Sequence, residues 1–205
     1  MAWPLPVRSG FSMDAMVVLA GLVPLAVMLI VAVRSDLLEQ RIPNKLVAAG
    51  MLVGLVLHTA LPEGNGFLAP WPGALGPWSA LQGLAIGGGA MLPLYILRVM
   101  GAGDVKLMAA VGAILGPSDI VPVLLCTFLA GGLVSVGVAI AHGVAGRLFK
   151  NLGYMVQVTL VKLNLPGMPA VEPPLESVGK APYAVAVALG TLSGVFWVLS
   201  GAQLF

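Results

Sequence analysis

Two aspartates, among the eight acidic residues of the chain, could act together in catalysis. Asp36 follows a long apolar stretch, and Asp104 precedes another. A carboxylate at or below a membrane surface is energetically costly, so it usually has a functional or structural reason. Two carboxylates that share one proton can act as general base and general acid when water attacks a carbonyl group. The pair therefore makes acid–base hydrolysis one candidate chemistry.

Helix capping is the competing explanation for such acids. Asp104 begins an apolar segment, and a carboxylate stabilises a helix N-terminus, so capping remains open for this residue. Asp36 ends a segment, where the helix dipole disfavours a negative charge, so capping explains it poorly. Asp14 and Asp119 also precede apolar segments, and we interpret both as helix caps.

The residues before Asp104 are unusually small, because Gly101 and Gly103 flank Ala102. We expect these glycines to allow backbone geometries that are closed to other residues, and to permit close approach of another chain. A protease needs such access, because it must bring an extended peptide up to its carboxylates. The alternative is a glycine-mediated helix contact, which is common in membrane proteins.

The loop after Asp36 is short and contains the tripeptide Ile42-Pro43-Asn44. Pro43 breaks a helix, and Asn44 is expected to cap the next one. Lys106 lies two residues after Asp104 and would point elsewhere on a helix. Its expected role is to set membrane topology, with a supporting role at the site as the alternative.

The composition indicates that lipid surrounds these residues. Of the 205 residues, 59% are hydrophobic and 9% are charged, whereas soluble domains carry about 25% charged residues. The net charge of +2, without a basic run, argues against a nucleic-acid partner. A single cysteine, Cys126, excludes an internal disulfide and a cysteine-rich zinc site. We predict no metal and no cofactor.

Six apolar segments, bounded by charges, prolines and glycines, predict an all-α membrane protein with six transmembrane helices. The fourth segment has too few residues to span about 30 Å of hydrocarbon as a helix, so it is either re-entrant or begins below the membrane surface. The segments are 16–33, 46–61, 80–97, 105–115, 121–141 and 183–199.

Nine of the ten basic residues lie in the first, third and fifth loops between these segments or, for Lys106, at the edge of the third loop. By the positive-inside rule, this alternation places those loops, and with them Asp36 and Asp104, on the cytoplasmic side. Within the fifth loop, apolar residues between 148 and 163 recur at helical spacing beside basic residues. This pattern predicts an amphipathic helix on the inner membrane surface.

At this point the sequence resembles the type IV prepilin peptidases, a family of membrane aspartic proteases. The resemblance is carried by Asp36 followed by Ile42-Pro43-Asn44, and by Gly101-Ala102-Gly103-Asp104 before Val105-Lys106-Leu107. A third match is Ala181-Pro182-Tyr183-Ala184-Val185-Ala186, which looks like the segment that opens the last helix of the family. The compact members that serve Flp-type pili look most similar.

The resemblance implies that residues 1–205 form a single integral-membrane peptidase domain in a bacterial-type inner membrane. Asp36 and Asp104 would be its catalytic pair, and Gly101, Gly103, Pro43, Asn44 and Lys106 would bind substrate or support the site. Its partners would be prepilin-like substrates, each a basic leader followed by an apolar helix. The paired cysteines of the bifunctional members are absent, so we do not expect methyltransferase activity.

Two alternatives remain open at this stage. A non-enzymatic transporter or pilus-assembly scaffold could use the aspartates to handle protons, although no inverted repeat is visible. A presenilin-type intramembrane protease also carries Gly-x-Gly-Asp. Ser35 stands before the first aspartate where that branch has tyrosine, however, and no Pro-Ala-Leu motif is present. The sequence predicts neither the identity of the pilin nor the oligomeric state.

Overall fold

The computed structural model describes residues 11–96, 100–141 and 183–201, with a few single positions between 143 and 157. The three long ranges form six helices and no regular strand, so the all-α prediction is confirmed. Each helix coincides with one predicted apolar segment. The helices are α1 (Phe11–Glu39), α2 (Asn44–Ala60), α3 (Pro77–Ile96), α4 (Ala102–Leu115), α5 (Ile120–Ala141) and α6 (Tyr183–Leu199).

The prediction of six transmembrane helices is confirmed only in part. Among the described ranges, three helices are long and apolar enough to cross a membrane: Met13–Glu39 within α1, together with α3 and α5. Helices α2 and α6 have 17 residues each, and α4 has 14. At 1.5 Å per residue, 17 residues reach about 26 Å and 14 reach about 21 Å. Both lengths fall short of the roughly 30 Å hydrocarbon core of a bilayer.

The chain divides into two compact units, residues 1–130 with 182–205, and residues 131–181. Helices α1 to α4, α6 and the first half of α5 belong to the first unit, which also contains both candidate aspartates. The amphipathic helix predicted between residues 148 and 163 lies outside the described residues. The single-domain assignment stays a prediction.

Helix α4 is the core helix of the first unit. Every residue from Leu107 to Leu115 is buried, and α4 contacts α1, α2, α3 and α6. By contrast, large apolar side chains of the other helices are exposed, such as Ile30 on α1 and Phe196 on α6. Protein therefore surrounds the short fourth segment, which is the condition under which a helix too short to span a membrane can lie at membrane depth.

Small residues allow this tight packing around α4. Gly83 of α3 faces Gly112 of α4 so closely that a Cβ on either residue would overlap the carbonyl oxygen of the other. Gly54 of α2 approaches the backbone of Ala113 in the same way. Where hydrophobic burial does not drive helices together, such close contacts supply the van der Waals packing that holds them.

The α2–α3 loop, residues 61–76, folds over the C-terminal end of α4. Phe67 is fully buried, and its ring centroid lies 4.9 Å from that of His58. The Leu75 amide donates a hydrogen bond to His58 Nδ1 at 3.3 Å. The Leu68 amide donates to Asp119 Oδ2 at 3.2 Å. The carboxylate of Asp119, interpreted from the sequence as a helix cap, therefore anchors a loop 51 residues away.

Substitutions of Asp119 are expected to show this anchoring as a difference in stability. Asparagine can still accept the Leu68 hydrogen bond, whereas alanine leaves that amide buried without a partner. We expect the free energy of unfolding of Asp119→Ala to be about 1–3 kcal/mol lower than that of Asp119→Asn. Thermal unfolding in detergent measures the difference, and equal stability of the two variants would argue against the anchor.

The pH dependence of this effect follows from the position of Asp119 in the turn between the apolar segments of α4 and α5. Burial raises its pKa to about 6, while hydrogen bonds from the Leu68 amide and the Ser118 side chain oppose that rise. An acid whose folded pKa is raised contributes stability below its ordinary pKa and loses that contribution as the pH rises through about 6. The wild type should therefore become less stable relative to Asp119→Asn between about pH 4 and 6.

Candidate active site

Asp36 lies in the last turn of α1, partly exposed. The backbone amide of Ala184, in the first turn of α6, donates a hydrogen bond of 3.1 Å to its Oδ2 atom. The unfavourable position at the C-terminus of α1 is thus offset by the N-terminus of α6, where a negative charge is stabilised. This contact joins residues 148 positions apart and fixes the orientation of the carboxylate.

Asp104 lies in the first turn of α4, immediately before the apolar segment 105–115, and is only 9% exposed. Its Oδ2 atom accepts a hydrogen bond of 3.1 Å from the Gly101 amide. The backbone amide of Asp104 in turn donates to the Gly101 carbonyl oxygen at 3.2 Å. Asp104 therefore does cap its helix, as one of the two sequence interpretations held.

The structure brings these two aspartates into electrostatic contact. Burial raises the pKa of Asp104 to about 6, the hydrogen bond from the Gly101 amide opposes the rise, and the negative charge of Asp36 adds to it. The two carboxylates therefore sit at the same end of the first unit, where the charge of Asp36 acts on Asp104. Asp104 therefore holds a proton up to a higher pH than an ordinary aspartate does.

Each carboxylate has one oxygen engaged in fixing its position. In both residues this is Oδ2, which accepts a backbone amide. No hydrogen bond to Oδ1 of either aspartate comes from the described part of the chain. This arrangement is suited to acid–base chemistry, because one oxygen orients the group while the other can meet water or a carbonyl oxygen.

The two glycines before Asp104 have different surroundings, and one expectation about them is wrong. Neither adopts a positive φ, and Gly101 has an extended backbone that any residue can take. Gly103 lies against the α1–α2 loop of the same chain, where an added Cβ would lie 3.3 Å from Cβ of Ile42, so the close approach of another chain stays a prediction. Gly103 thus lets the α1–α2 loop pack against the start of α4, while Gly101 is exposed beside the Asp104 carboxylate.

The α1–α2 loop is held by contacts at both of its ends. Ser35 Oγ donates to the Arg41 carbonyl oxygen at 2.7 Å. The residue at the N-cap of α2 is Pro43, and no side chain caps that helix, so the predicted capping by Asn44 is wrong. Instead, Asn44 Oδ1 accepts a hydrogen bond of 3.0 Å from Lys106 Nζ. This exposed contact links the starts of α2 and α4.

Sequence reasoning missed the role of α6 in this site. Ala184 carries no side-chain chemistry, and its contribution is a backbone amide that no residue pattern could assign to Asp36. The neighbouring Tyr183 is also close enough to Asp104 for an electrostatic interaction. The available signal is the sequence around Pro182 and Tyr183, which resembles the segment that opens the last helix of the family.

A metal centre has no counterpart in the described ranges. Among those residues, no group of three histidine, cysteine or acidic side chains is arranged to hold a metal ion. The absence of a metal and of a cofactor stays a prediction from the sequence.

Comparison with known proteins gives one match. The model of the type IV leader peptidase family matches residues 23–136, more than half of the chain. This range includes both Asp36 and Asp104, but it ends before α6 and so excludes Ala184. No curated protein and no solved structure matches the sequence.

Proposed function

Since the chain belongs to the type IV leader peptidase family, we propose that it is a membrane aspartic endopeptidase that removes the leader of prepilin-like, Flp-type proteins. The observation that carries this proposal is the pairing of Asp36 and Asp104. One comes from the end of α1 and the other from the start of α4. Burial raises the pKa of Asp104, and the charge of Asp36 adds to that rise. Structural capping alone would not require a second carboxylate at this place.

The proposed reaction uses the pair as base and acid. Ionised Asp36 takes a proton from a water molecule, whose oxygen attacks the carbonyl carbon of the scissile bond. Protonated Asp104 donates its proton to the carbonyl oxygen, which gives a neutral tetrahedral diol. The proton on Asp36 then passes to the leaving nitrogen as the C–N bond breaks, and a diol hydroxyl returns a proton to Asp104. Both carboxyl groups end as they began.

The surrounding residues support the pair in this proposal. Gly103 allows Ile42 to pack against the start of α4, and the exposed Gly101 leaves space beside Asp104 for a peptide backbone. Pro43 and the Lys106–Asn44 hydrogen bond keep the start of α2 next to α4. These contacts hold the α1–α2 loop and the start of α2 against the start of α4. Catalysis by two carboxylates from different helices requires such fixed positions.

We place the site at the cytoplasmic face of an inner membrane. The basic residues support this orientation, because Arg34, Arg41 and Lys45 lie near Asp36, and Lys106 lies near Asp104. A substrate whose apolar helix lies in the same bilayer would present the start of that helix at this face. The leader would then be cut where it leaves the membrane.

Co-expression with a candidate Flp-type prepilin tests the activity. Leader removal is followed by gel shift, and the new N-terminus is sequenced from the processed product. We expect one cut, at the junction between the basic leader and the apolar helix. If the protein leaves every one of several Flp-type prepilins intact at normal membrane levels, the proposal fails and the transporter or scaffold interpretation takes its place.

The pH profile of cleavage is a second expectation. Asp104 must be protonated to act as the acid, and its pKa is about 6. We therefore expect kcat/KM, which reports the free enzyme, to fall as the pH rises through about 6. A bound substrate excludes more water from Asp104, so the corresponding fall in kcat should lie at higher pH. Steady-state assays across pH 4–9 measure the fall in kcat/KM and the fall in kcat. A kcat/KM that keeps rising through pH 8 would contradict the role of Asp104 as the acid.

A further inference from the structure

An apolar groove of about 540 Å³ runs along the surface where α1 and α6 meet. Its volume lies within the range of sites that bind ligands. All of the described residues around it belong to the first unit. They are Ala26, Leu29, Ile30, Val33, Arg34, Leu37, Leu38, Ala188 and Leu192.

The groove lies beside the candidate active site, although neither aspartate lines it. On α1, Asp36 stands between two lining residues, Arg34 and Leu37. On α6, the Ala184 amide holds the Asp36 carboxylate, and the lining residues Ala188 and Leu192 follow one and two turns later. The α1 side extends from Ala26 to Leu38, about 18 Å or three helical turns. A segment lying in the groove would therefore reach the part of α1 that carries Asp36.

The groove also has a polarity that matches one kind of occupant. Its lining is apolar except for Arg34, which lies at the Asp36 end. No hydrogen bond or ion pair from the described residues engages the Arg34 side chain. The rest of the groove opens towards the lipid-facing surface, where Ile30 is 68% and Leu192 is 62% exposed. An occupant would thus be apolar along its length, and a basic leader attached to it would extend past Arg34 towards the carboxylates of Asp36 and Asp104.

We propose that this groove binds the apolar helix of the substrate, with the junction between leader and helix beside Arg34 and Asp36. The inference rests on the proposed function and adds to it a place of entry. The substrate helix moves in from the lipid between α1 and α6, and its polar end then lies next to the carboxylates. A lipid acyl chain would also fit the apolar part, so the experiment must separate these two occupants.

Photo-crosslinking tests the proposal directly. The photoreactive residue p-benzoylphenylalanine is placed at Leu192 in the groove or at Leu52 on α2, which is equally exposed at 63% but lies outside the groove. Both proteins also carry Asp104→Asn, so that the co-expressed Flp-type prepilin is not cut. We expect a prepilin adduct from position 192 and at least about tenfold less from position 52. An adduct with lipid alone at position 192, or equal prepilin adducts at both positions, would overturn the proposal.

A kinetic measurement separates this inference from the proposed function. Leu192→Trp partly fills the groove and is expected to raise KM for the prepilin by about tenfold. The change in kcat should be smaller, because the lost contact is present both in the bound substrate and in the transition state. Leu52→Trp serves as the control and should match the wild type. If the wild type cleaves and Leu192→Trp has an unchanged KM, the groove proposal fails alone. If the wild type does not cleave, the proposed function fails.

Discussion

Replacing Asp104 by asparagine is expected to lower leader cleavage by about 10³-fold or more, the loss typical of a missing acid–base group. Asparagine has nearly the same shape and can still accept the Gly101 hydrogen bond, so the cap of α4 is retained. It has no acidic proton to donate to the carbonyl oxygen of the substrate. The substitution therefore separates the two roles that the structure gives to Asp104, helix capping and proton donation.

Asp36→Asn is expected to cause a loss of the same order, for a complementary reason. The side-chain oxygen of asparagine can accept the Ala184 amide, so the link between α1 and α6 survives. An amide cannot take a proton from water near neutral pH, however. Because the two carboxylates act as one unit, the double variant should be little worse than either single variant. Cleavage rates at matched membrane levels measure all three.

Each substitution has a matched control in this chain. Asp119 is as buried as Asp104 and has its pKa raised to about the same value, but it lies beyond the other end of α4. Glu39 lies one turn after Asp36 and is exposed. Asp119→Asn and Glu39→Gln should therefore cleave like the wild type. Wild-type cleavage by either Asp104→Asn or Asp36→Asn would show that the aspartate in question is structural, and the two-carboxylate mechanism would be wrong.

The sequence predicted the helices well because their boundaries are set by local physics. Apolar stretches end at charges, prolines and glycines, and the observed ends of α2 to α6 lie within three residues of the predicted ones. Helix α1 is the exception, because it continues past Arg34 and Asp36 to Glu39. The central position of α4 could not be predicted in this way. Its segment is short and differs little in composition from its neighbours, whereas its burial depends on glycines of α2 and α3 that meet it from other parts of the chain.

The two acidic residues of the site could be predicted from the sequence, but the contacts that hold them in position could not. Asp36 and Asp104 were evident because carboxylates beside apolar segments are costly. The partner of Asp36 is a backbone amide 148 residues away, which has no signature in residue type. For Asn44 the residue type suggested a role that the structure does not show. Asparagine favours helix capping, but this side chain accepts a hydrogen bond from Lys106 instead. Tertiary contacts decided both outcomes.

The tight contact between α3 and α4 gives the second large expected effect. A methyl group at Gly83 would overlap the backbone carbonyl oxygen of Gly112, and no rotamer change can relieve a clash with backbone. The helices must then separate, which also disturbs the position of Asp104 on α4. We expect Gly83→Ala to lower the free energy of unfolding by on the order of 3 kcal/mol. This loss exceeds the roughly 1 kcal/mol by which alanine stabilises a helix relative to glycine. Thermal unfolding in detergent, measured together with cleavage, reports both consequences.

Gly89 provides the comparison within the same helix. It is exposed, and a methyl group added there would meet nothing within 4 Å. Gly89→Ala should therefore be neutral or slightly stabilising, because only the helix propensity changes. A lowered unfolding temperature for Gly83→Ala alone would identify the cost as the α3–α4 contact rather than the loss of a glycine. Equal stability of the two variants would mean that α4 is not held by this contact, and that another support keeps Asp104 in place beside Asp36.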